Sequence, residues 1–310
     1  MKNLINHKKY YIYFIGTNFS PISTIFLENL IRFKNKSNYE IDFIIDSSNI
    51  KKIDLKNKFA RFLYFFFNKR YYNFLTLLNY LGKNSLFIQS LKNEINFSNY
   101  NDFLNKKIKQ NSILISCGGN KIFKKKFLNK FKIAINYHHS KIPEFRGVYT
   151  NGFEILTNKK NTYFTWHYIN KKIDKGFPIF EEKIRINKKK QSMFFYDLLK
   201  IKKSSKNIQR ILESAVKNID KKKFESKKGN YYSKKYFKNY FNDLKKINYE
   251  FLEKFIRIFG GFYYKGQFIT KIIRNNKKGI LLLNSKIEIK EIKNLPILIY
   301  KILNFLKLIN

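Results

Sequence analysis

Sulfur, acid and long apolar runs are all scarce in this 310-residue chain. Cys117 is its single cysteine. A disulfide within the chain and a thiolate metal cluster are therefore excluded, and a reducing, cytoplasmic location is expected. Acidic residues number 21 against 64 Lys and Arg, a net charge of +43. Such a surface draws polyanions, whether RNA, DNA or anionic lipid, and speeds their encounter. A merely solvated Lys-rich surface, part of a Lys- and Asn-rich compositional drift, is the plainer alternative. No window approaches 18 uncharged apolar residues; residues 62–67 are too few, and 297–309 are interrupted by Lys301 and Lys307. No membrane span is expected. The run 10–15 is short and no small-residue cleavage site follows it, so no signal peptide is expected either. Only one glycine, Gly16, follows that run, which rules out the three-glycine dinucleotide fingerprint. No internal repeat is found at 20 to 50 residues.

The hydrophobic fraction of 44% is enough to fill a core. Residues 10–15 read as a strand, 22–33 as a helix and 41–45 as a second strand, a βαβ unit that implies a parallel sheet. A Lys-rich, then aromatic-rich segment at 51–82 reads as helical core. A short strand at 85–88, a helix at 99–108, a strand at 112–116 ending in Cys117-Gly118-Gly119, a Lys-rich helix near 121–130 and a strand at 132–135 follow. Further on, 150–156 starts a helix, 162–169 and 178–186 are strands, and 191–217 is an amphipathic helix broken by Lys-Lys-Ser-Ser-Lys. Residues 218–246 are polar and Lys-rich. A helix at 249–258 and short runs at 261–264, 267–273, 280–283 and 287–289 then suggest a small β-barrel.

Chemistry concentrates in residues 135–147. A strand carrying Asn136, His138 and Ser140 presents all three on one face, at the carboxyl end where open α/β sheets hold ligands. Arg146-Gly147 makes a turn that can bring a cation to an anionic ligand. An amide, an imidazole and a carboxylate together suit acyl transfer to an amine, with donors for an oxyanion and a carboxylate to take the proton or orient the imidazole. Asp174, in a turn before Gly176, is the best downstream carboxylate. Two other readings stay open on spacing alone: a polar strand end with a satisfied histidine, and a zinc site using His138, His139 and Asp174. Adjacent histidines on a strand face opposite ways, which makes joint ligation awkward.

The pattern Asn136-x-His138-x-Ser140-x-Ile142-Pro143, then Phe145-Arg146-Gly147, then Asp174-x-Gly176 resembles the folate-dependent formyltransferase family. That family includes methionyl-tRNA, glycinamide ribonucleotide and nucleotide-sugar formyltransferases. Its Asn-x-His-x-Ser-Leu-Leu-Pro motif is followed by an aspartate 38 positions after the asparagine, the spacing from Asn136 to Asp174. The resemblance implies an α/β fold, a Rossmann-like mostly parallel sheet with flanking helices in residues 1–217. A Lys-rich linker, 218–246, and a small C-terminal β-barrel-like, OB-like domain, 247–310, would follow. It implies an enzyme using 10-formyltetrahydrofolate, with Asn136, His138 and Asp174 as the catalytic trio. The folate pocket would be lined largely by backbone, at Cys117, Gly118, Gly119, Ile169 and Ile173. Ser140, Arg146 and His167 are the expected acceptor-binding residues.

For the acceptor, the basic surface, the barrel and the Phe145-Arg146-Gly147 turn, which resembles Trp-Arg-Gly of the tRNA enzymes, favour initiator methionyl-tRNA. Against it, Val148-Tyr149-Thr150-Asn151 replaces a small, Pro-containing segment, and His167 stands where the tRNA enzymes have an apolar residue. A nucleotide-linked amino sugar is the alternative acceptor, and an inactive, RNA-binding descendant the third reading.

Overall fold

The computed structural model describes residues 9–18, 20–35, 37–48, 85–157, 160–187, 192–241, 249–264, 267–275 and 279–284. The first apolar run is β1 (Tyr10–Gly16), buried at nearly every position. A strand covered on both faces needs such an unbroken run. The helix α1 (Pro21–Lys34) opens on Pro21, where no N–H partner is required. It buries Ile22, Phe26, Leu27, Leu30 and Ile31 and places Arg32 and Lys34 in its last turn, facing the negative end of the helix dipole. β2 (Tyr39–Asp46), α2 (Leu86–Lys92), β3 (Asn96–Asn99), α3 (Tyr100–Phe103), β4 (Ser112–Ser116), α4 (Lys125–Leu128) and β5 (Ile133–His138) continue the winding. β6 (Phe145–Gly147), α5 (Thr150–Leu156), β7 (Asn161–Tyr168), β8 (Pro178–Arg185), α6 (Met193–Ser205) and α7 (Ile208–Lys217) follow.

Seven strands form the main sheet in the order β3-β2-β1-β4-β5-β7-β8. The first five are parallel, and β7 and β8 join antiparallel. This is the Rossmann-like sheet with flanking helices that the resemblance implies. Alternation along β1 divides the core between the two faces. Ile12 and Phe14 pack with Phe26, Leu30 and Trp166, while Tyr13 and Ile15 pack with Phe103, Leu114, Phe127 and Phe131. No helix among the described residues is long and apolar enough to cross a membrane.

Four local expectations change. Residues 85–88 start the helix α2, not a strand, because Ser85 caps it by accepting from the Ile88 N–H at 3.2 Å. The helix expected over 99–108 is the single turn α3. β5 runs on to His138 instead of stopping at 135. Residues expected in a linker instead build a short 3-10 turn (Ile219–Lys223), β9 (Asn230–Tyr232), which pairs in parallel with β6, and α8 (Lys234–Lys238). Beyond them, α9 (Tyr249–Phe259) leads to β10 (Phe262–Tyr264), β11 (Gln267–Asn275) and β12 (Gly279–Asn284), an antiparallel three-stranded sheet. The helix expected at 51–82 and the last expected strand, 287–289, lie outside the described residues.

Beneath the end of β5 lies a buried ion pair. Lys200 of α6, fully buried, sits 3.4 Å from Glu154 of α5. Its ammonium also donates to the His139 carbonyl at 2.6 Å and to Asn151 Oδ1 at 2.5 Å. Glu154 accepts from the Lys141 N–H, the Tyr163 N–H and Thr162. One cation thus fixes α5 and α6 against the chain leaving β5. Removing it leaves a carboxylate uncompensated out of water. Lys200→Met is expected to lower stability by about 3–5 kcal/mol in urea unfolding, and Glu154→Gln added to it should recover part of that loss.

Candidate active site

Asn136 and His138 lie two apart on β5, so they share a face of the sheet. The antiparallel register sets His167 of β7 directly opposite Asn136. The loop after β7 then returns Asp174 to the same place. Its backbone is left-handed, φ 49°, and Gly176 just beyond has no room for a side chain, since a Cβ there would lie 1.6 Å from the Tyr168 carbonyl oxygen.

These groups meet around the Asp174 carboxylate. The Gly147 N–H donates to its Oδ2 at 3.0 Å. His138 Nδ1 lies 3.5 Å from Oδ2, and His167 Nε2 lies 3.5 Å from Oδ1. Asn136 Nδ2 is 3.2 Å from His167 Nε2 and 3.5 Å from Asp174 Oδ1. The ring partners assign tautomers. His138 Nε2 faces the Phe145 carbonyl at 2.6 Å, which can only accept, so that nitrogen carries the proton and Nδ1 is left toward Asp174. His167 Nδ1 likewise donates to the Tyr168 carbonyl at 2.8 Å, leaving Nε2 to accept from Asn136.

Burial draws the His138 imidazole down to about 4, outweighing the upward pull of the Asp174 charge. Burial would raise the Asp174 carboxyl, but the two imidazoles and the Gly147 N–H hold it below the ordinary carboxylate range. At neutral pH the pair is a carboxylate beside a neutral imidazole, with a lone pair on Nδ1 aimed at the carboxylate. A proton arriving between them is held by both.

A cavity of about 740 Å³ opens over this cluster, a size that suits a small-molecule ligand. Its lining divides by element. Gly118, Gly119 and Phe123 after β4, and Ile169, Asn170 and Ile173 after β7, supply one part. Tyr149, Asn151, Phe194, Asp197, Tyr231 and Lys234 supply another, from α5, α6 and the β9–α8 segment. Among the described residues, no group of three or more His, Cys, Asp or Glu could hold a metal ion.

Asn136, His138, Asp174 and His167 are therefore brought together, and Gly118, Gly119, Ile169 and Ile173 line the same space. Three other expected site residues are not on it. Cys117 is fully buried, its N–H donating to the Ile15 carbonyl at 3.0 Å and its carbonyl accepting from Ser23 Oγ at 2.8 Å. Ser140 is also fully buried and donates to Thr150 Oγ1 at 2.8 Å. Arg146 turns away, donating to the Gly229 carbonyl at 2.8 Å. Asn151, Asp197 and Lys234 were missed. Only for Asp197 was there a signal, its place with Met193, Tyr196, Lys200, Ile201 and Ser204 on one helical face.

A family model described as formyl transferase matches residues 88–211, which contain every member of the cluster. No curated protein matches the chain. Among solved structures, WlaRD, a sugar 3N-formyl transferase in the presence of dTDP and 5-N-formyl-THF, is 23% identical, with TM-score 0.53, covering 87% of this chain and 88% of that one. The N-formyltransferase from Helicobacter canadensis in complex with folinic acid and dTDP-3-aminofucose is 21% identical, with TM-score 0.54 and coverage of 85% and 88%. A 4-N formyltransferase from Francisella tularensis is 17% identical, with TM-score 0.56 and coverage of 90% and 98%. In the residues of its site and in its fold, the chain resembles the formyltransferases.

An imidazole kept neutral by burial makes stability fall in acid. The unfolded chain takes the proton near 6.5 and the folded chain only near 4, so the contribution is complete above about pH 6.5 and is lost as pH falls toward 4. Asp174 acts in the same direction at lower pH. Urea midpoints measured across that range should drop for the native chain, and drop less for His138→Gln.

Proposed function

We propose that this chain is an N-formyltransferase that passes the formyl group of 10-formyltetrahydrofolate to the amino group of a nucleotide-linked amino sugar. The observation that carries the reading is the convergence of Asn136, His138 and Asp174 on the floor of one cavity. An amide donor, an imidazole and an ionised carboxylate are what acyl transfer to an amine requires.

The residues present fit a folate. The part of the cavity lined by Gly118, Gly119, Ile122, Ile169 and Ile173 offers backbone and apolar surface for a flat ring system. Asn170 there has a buried side-chain amide nitrogen with no hydrogen-bond partner among the described residues, a donor that a ring oxygen or nitrogen would satisfy. The bound donor supplies an electrophilic formyl carbon.

The chain's own groups do the rest. The 3.5 Å contact from Asn136 Nδ2 to Asp174 is at the limit of a hydrogen bond, so that N–H can turn to the charge developing on the formyl oxygen. The space between His138 Nδ1 and Asp174 Oδ2 would hold the proton that the amine nitrogen loses as it bonds to the formyl carbon, and would return it to the folate nitrogen as the bond from that nitrogen to the carbon breaks. His167 keeps the Asn136 amide in place. Cys117, Ser140 and Arg146 take structural roles.

Methionyl-tRNA was the leading acceptor on charge and on the turn at Phe145. The comparisons support the amino-sugar alternative better. Of the similar structures that match nearly end to end, one is named a sugar 3N-formyl transferase and another holds dTDP-3-aminofucose. A cavity wall of Tyr149, Phe194, Tyr231 and Lys234 suits a nucleoside diphosphate, offering rings for a base and a cation for phosphate.

The purified protein should formylate a dTDP-linked 3- or 4-amino sugar in the presence of 10-formyltetrahydrofolate, read by mass spectrometry. Formylation of initiator methionyl-tRNA with no sugar product would overturn the assignment.

A further inference from the structure

One charged group on the cavity wall has no part in the formyl-transfer cluster. Asp197 enters from α6 and lines the cavity together with His139 and Asn151. Asn151 Nδ2 donates to Asp197 Oδ1 at 2.9 Å and to the Met193 carbonyl at 2.8 Å. The Asn151 oxygen accepts from Lys200 at 2.5 Å and from Thr162 at 3.1 Å. With donors and acceptors all matched, the amide has one orientation, and it turns the carboxylate. His139 Nδ1 stands 3.8 Å from Asp197 Oδ1, too far for a hydrogen bond.

Among the described residues, Asn151 therefore supplies the one hydrogen bond to Asp197. The second carboxylate oxygen is left without a donor on a cavity wall. Lys200 does not account for this arrangement, because its ammonium is already taken up by Glu154, Asn151 and the His139 carbonyl. Burial pushes the Asp197 carboxyl up to about 6, against the pull of Lys200 and Asn151. That second oxygen faces the cavity, where a ligand's O–H or N–H would complete it.

The chemistry of that ligand follows from sign. A carboxylate repels phosphate and pairs with donors, which leaves the sugar hydroxyls or a base N–H. Asp197 stands beside His139, whose ring lies 5.5 Å from that of His138 in the transfer cluster, the end that takes the amine-bearing sugar. We propose that Asp197, oriented by Asn151, accepts a hydrogen bond from a ring hydroxyl of the acceptor sugar and so holds the ring with its amine toward Asn136, His138 and Asp174. The inference rests on the amino-sugar reading of the cavity. It makes Asp197 a specificity-determining residue: a site built to bind a hydroxyl rejects the analogue that lacks one.

The test is steady-state kinetics of the native protein and Asp197→Asn with dTDP-3-aminofucose, with its analogues lacking one ring hydroxyl, and with 10-formyltetrahydrofolate. The substitution keeps shape and removes the anionic acceptor. It is expected to raise the KM for the intact acceptor about tenfold or more, the scale of one lost hydrogen bond to a charged group. The KM for the formyl donor should not change, and with one of the deoxy analogues the native and variant proteins should be equally poor. An unchanged acceptor KM overturns the inference, as does an equal loss on every acceptor, which would mark a structural role. Should the Asn variant fail to fold, Asp197→Ser carries the same comparison. If the native protein turns over no nucleotide-linked amino sugar, the functional reading fails and the inference falls with it. A native enzyme active on these sugars, with Asp197→Asn unaffected, sinks the inference alone.

Discussion

Everything at the site hangs on one buried carboxylate. Asp174 is closed in by two imidazoles, one amide side chain and one backbone N–H; the N–H donors, and in acid the protonated imidazoles, hold its carboxyl down where burial alone would raise it. The carboxylate joins the chain leaving β7 to the turn at Gly147, whose φ of 102° and closeness to the Tyr232 carbonyl admit no side chain. β5, β7 and the β6–β9 pair thus meet at one side chain. The neutral state of His138 depends on the same closure, since burial is its largest influence.

A second polar layer sits behind the first. Lys200, Glu154, Asn151 and Thr162 form a connected network in which the described donors find acceptors, which is the condition under which a buried charge specifies a structure instead of weakening it. Lys200 donates to the carbonyl of His139, the residue next to His138. The aromatic packing of Phe153 on Tyr232 and Phe259 ties α5 to β9 and α9, so segments distant in sequence shape the same cavity wall.

Much of this was legible from residues because it depends on local pattern. β1 and β4 are apolar runs that can only be covered on both faces, and Asn136, His138 and Asp174 carry a specific spacing. Residues 85–88 misled because a four-residue apolar run has no period, and the deciding feature was the Ser85 cap. Ser140 misled for a different reason: the strand ends at His138, so alternation does not reach it. The role of Arg146 turned on the Gly229 carbonyl, brought near by the parallel pairing of β6 with β9, and no sequence spacing reports such a contact. Asp197 and Lys200 fall on the buried face of an amphipathic helix, and its period alone does not say which cavity or partner that face meets. The elements within 218–241 were not legible either, because a short strand in a Lys-rich segment gains its order from the partner it pairs with.

The central claim is that the Asp174 carboxylate completes a formyl-transfer site. Its most direct measurement is the rate of formyl transfer by Asp174→Asn, which keeps the size of the side chain and removes its charge, beside binding of folinic acid to the same variant. The expected result is a fall in kcat of about 10²-fold or more, the scale of a positioned acid–base group, with folinic acid still bound. Turnover at the native rate in a folded Asp174→Asn protein would contradict the assignment.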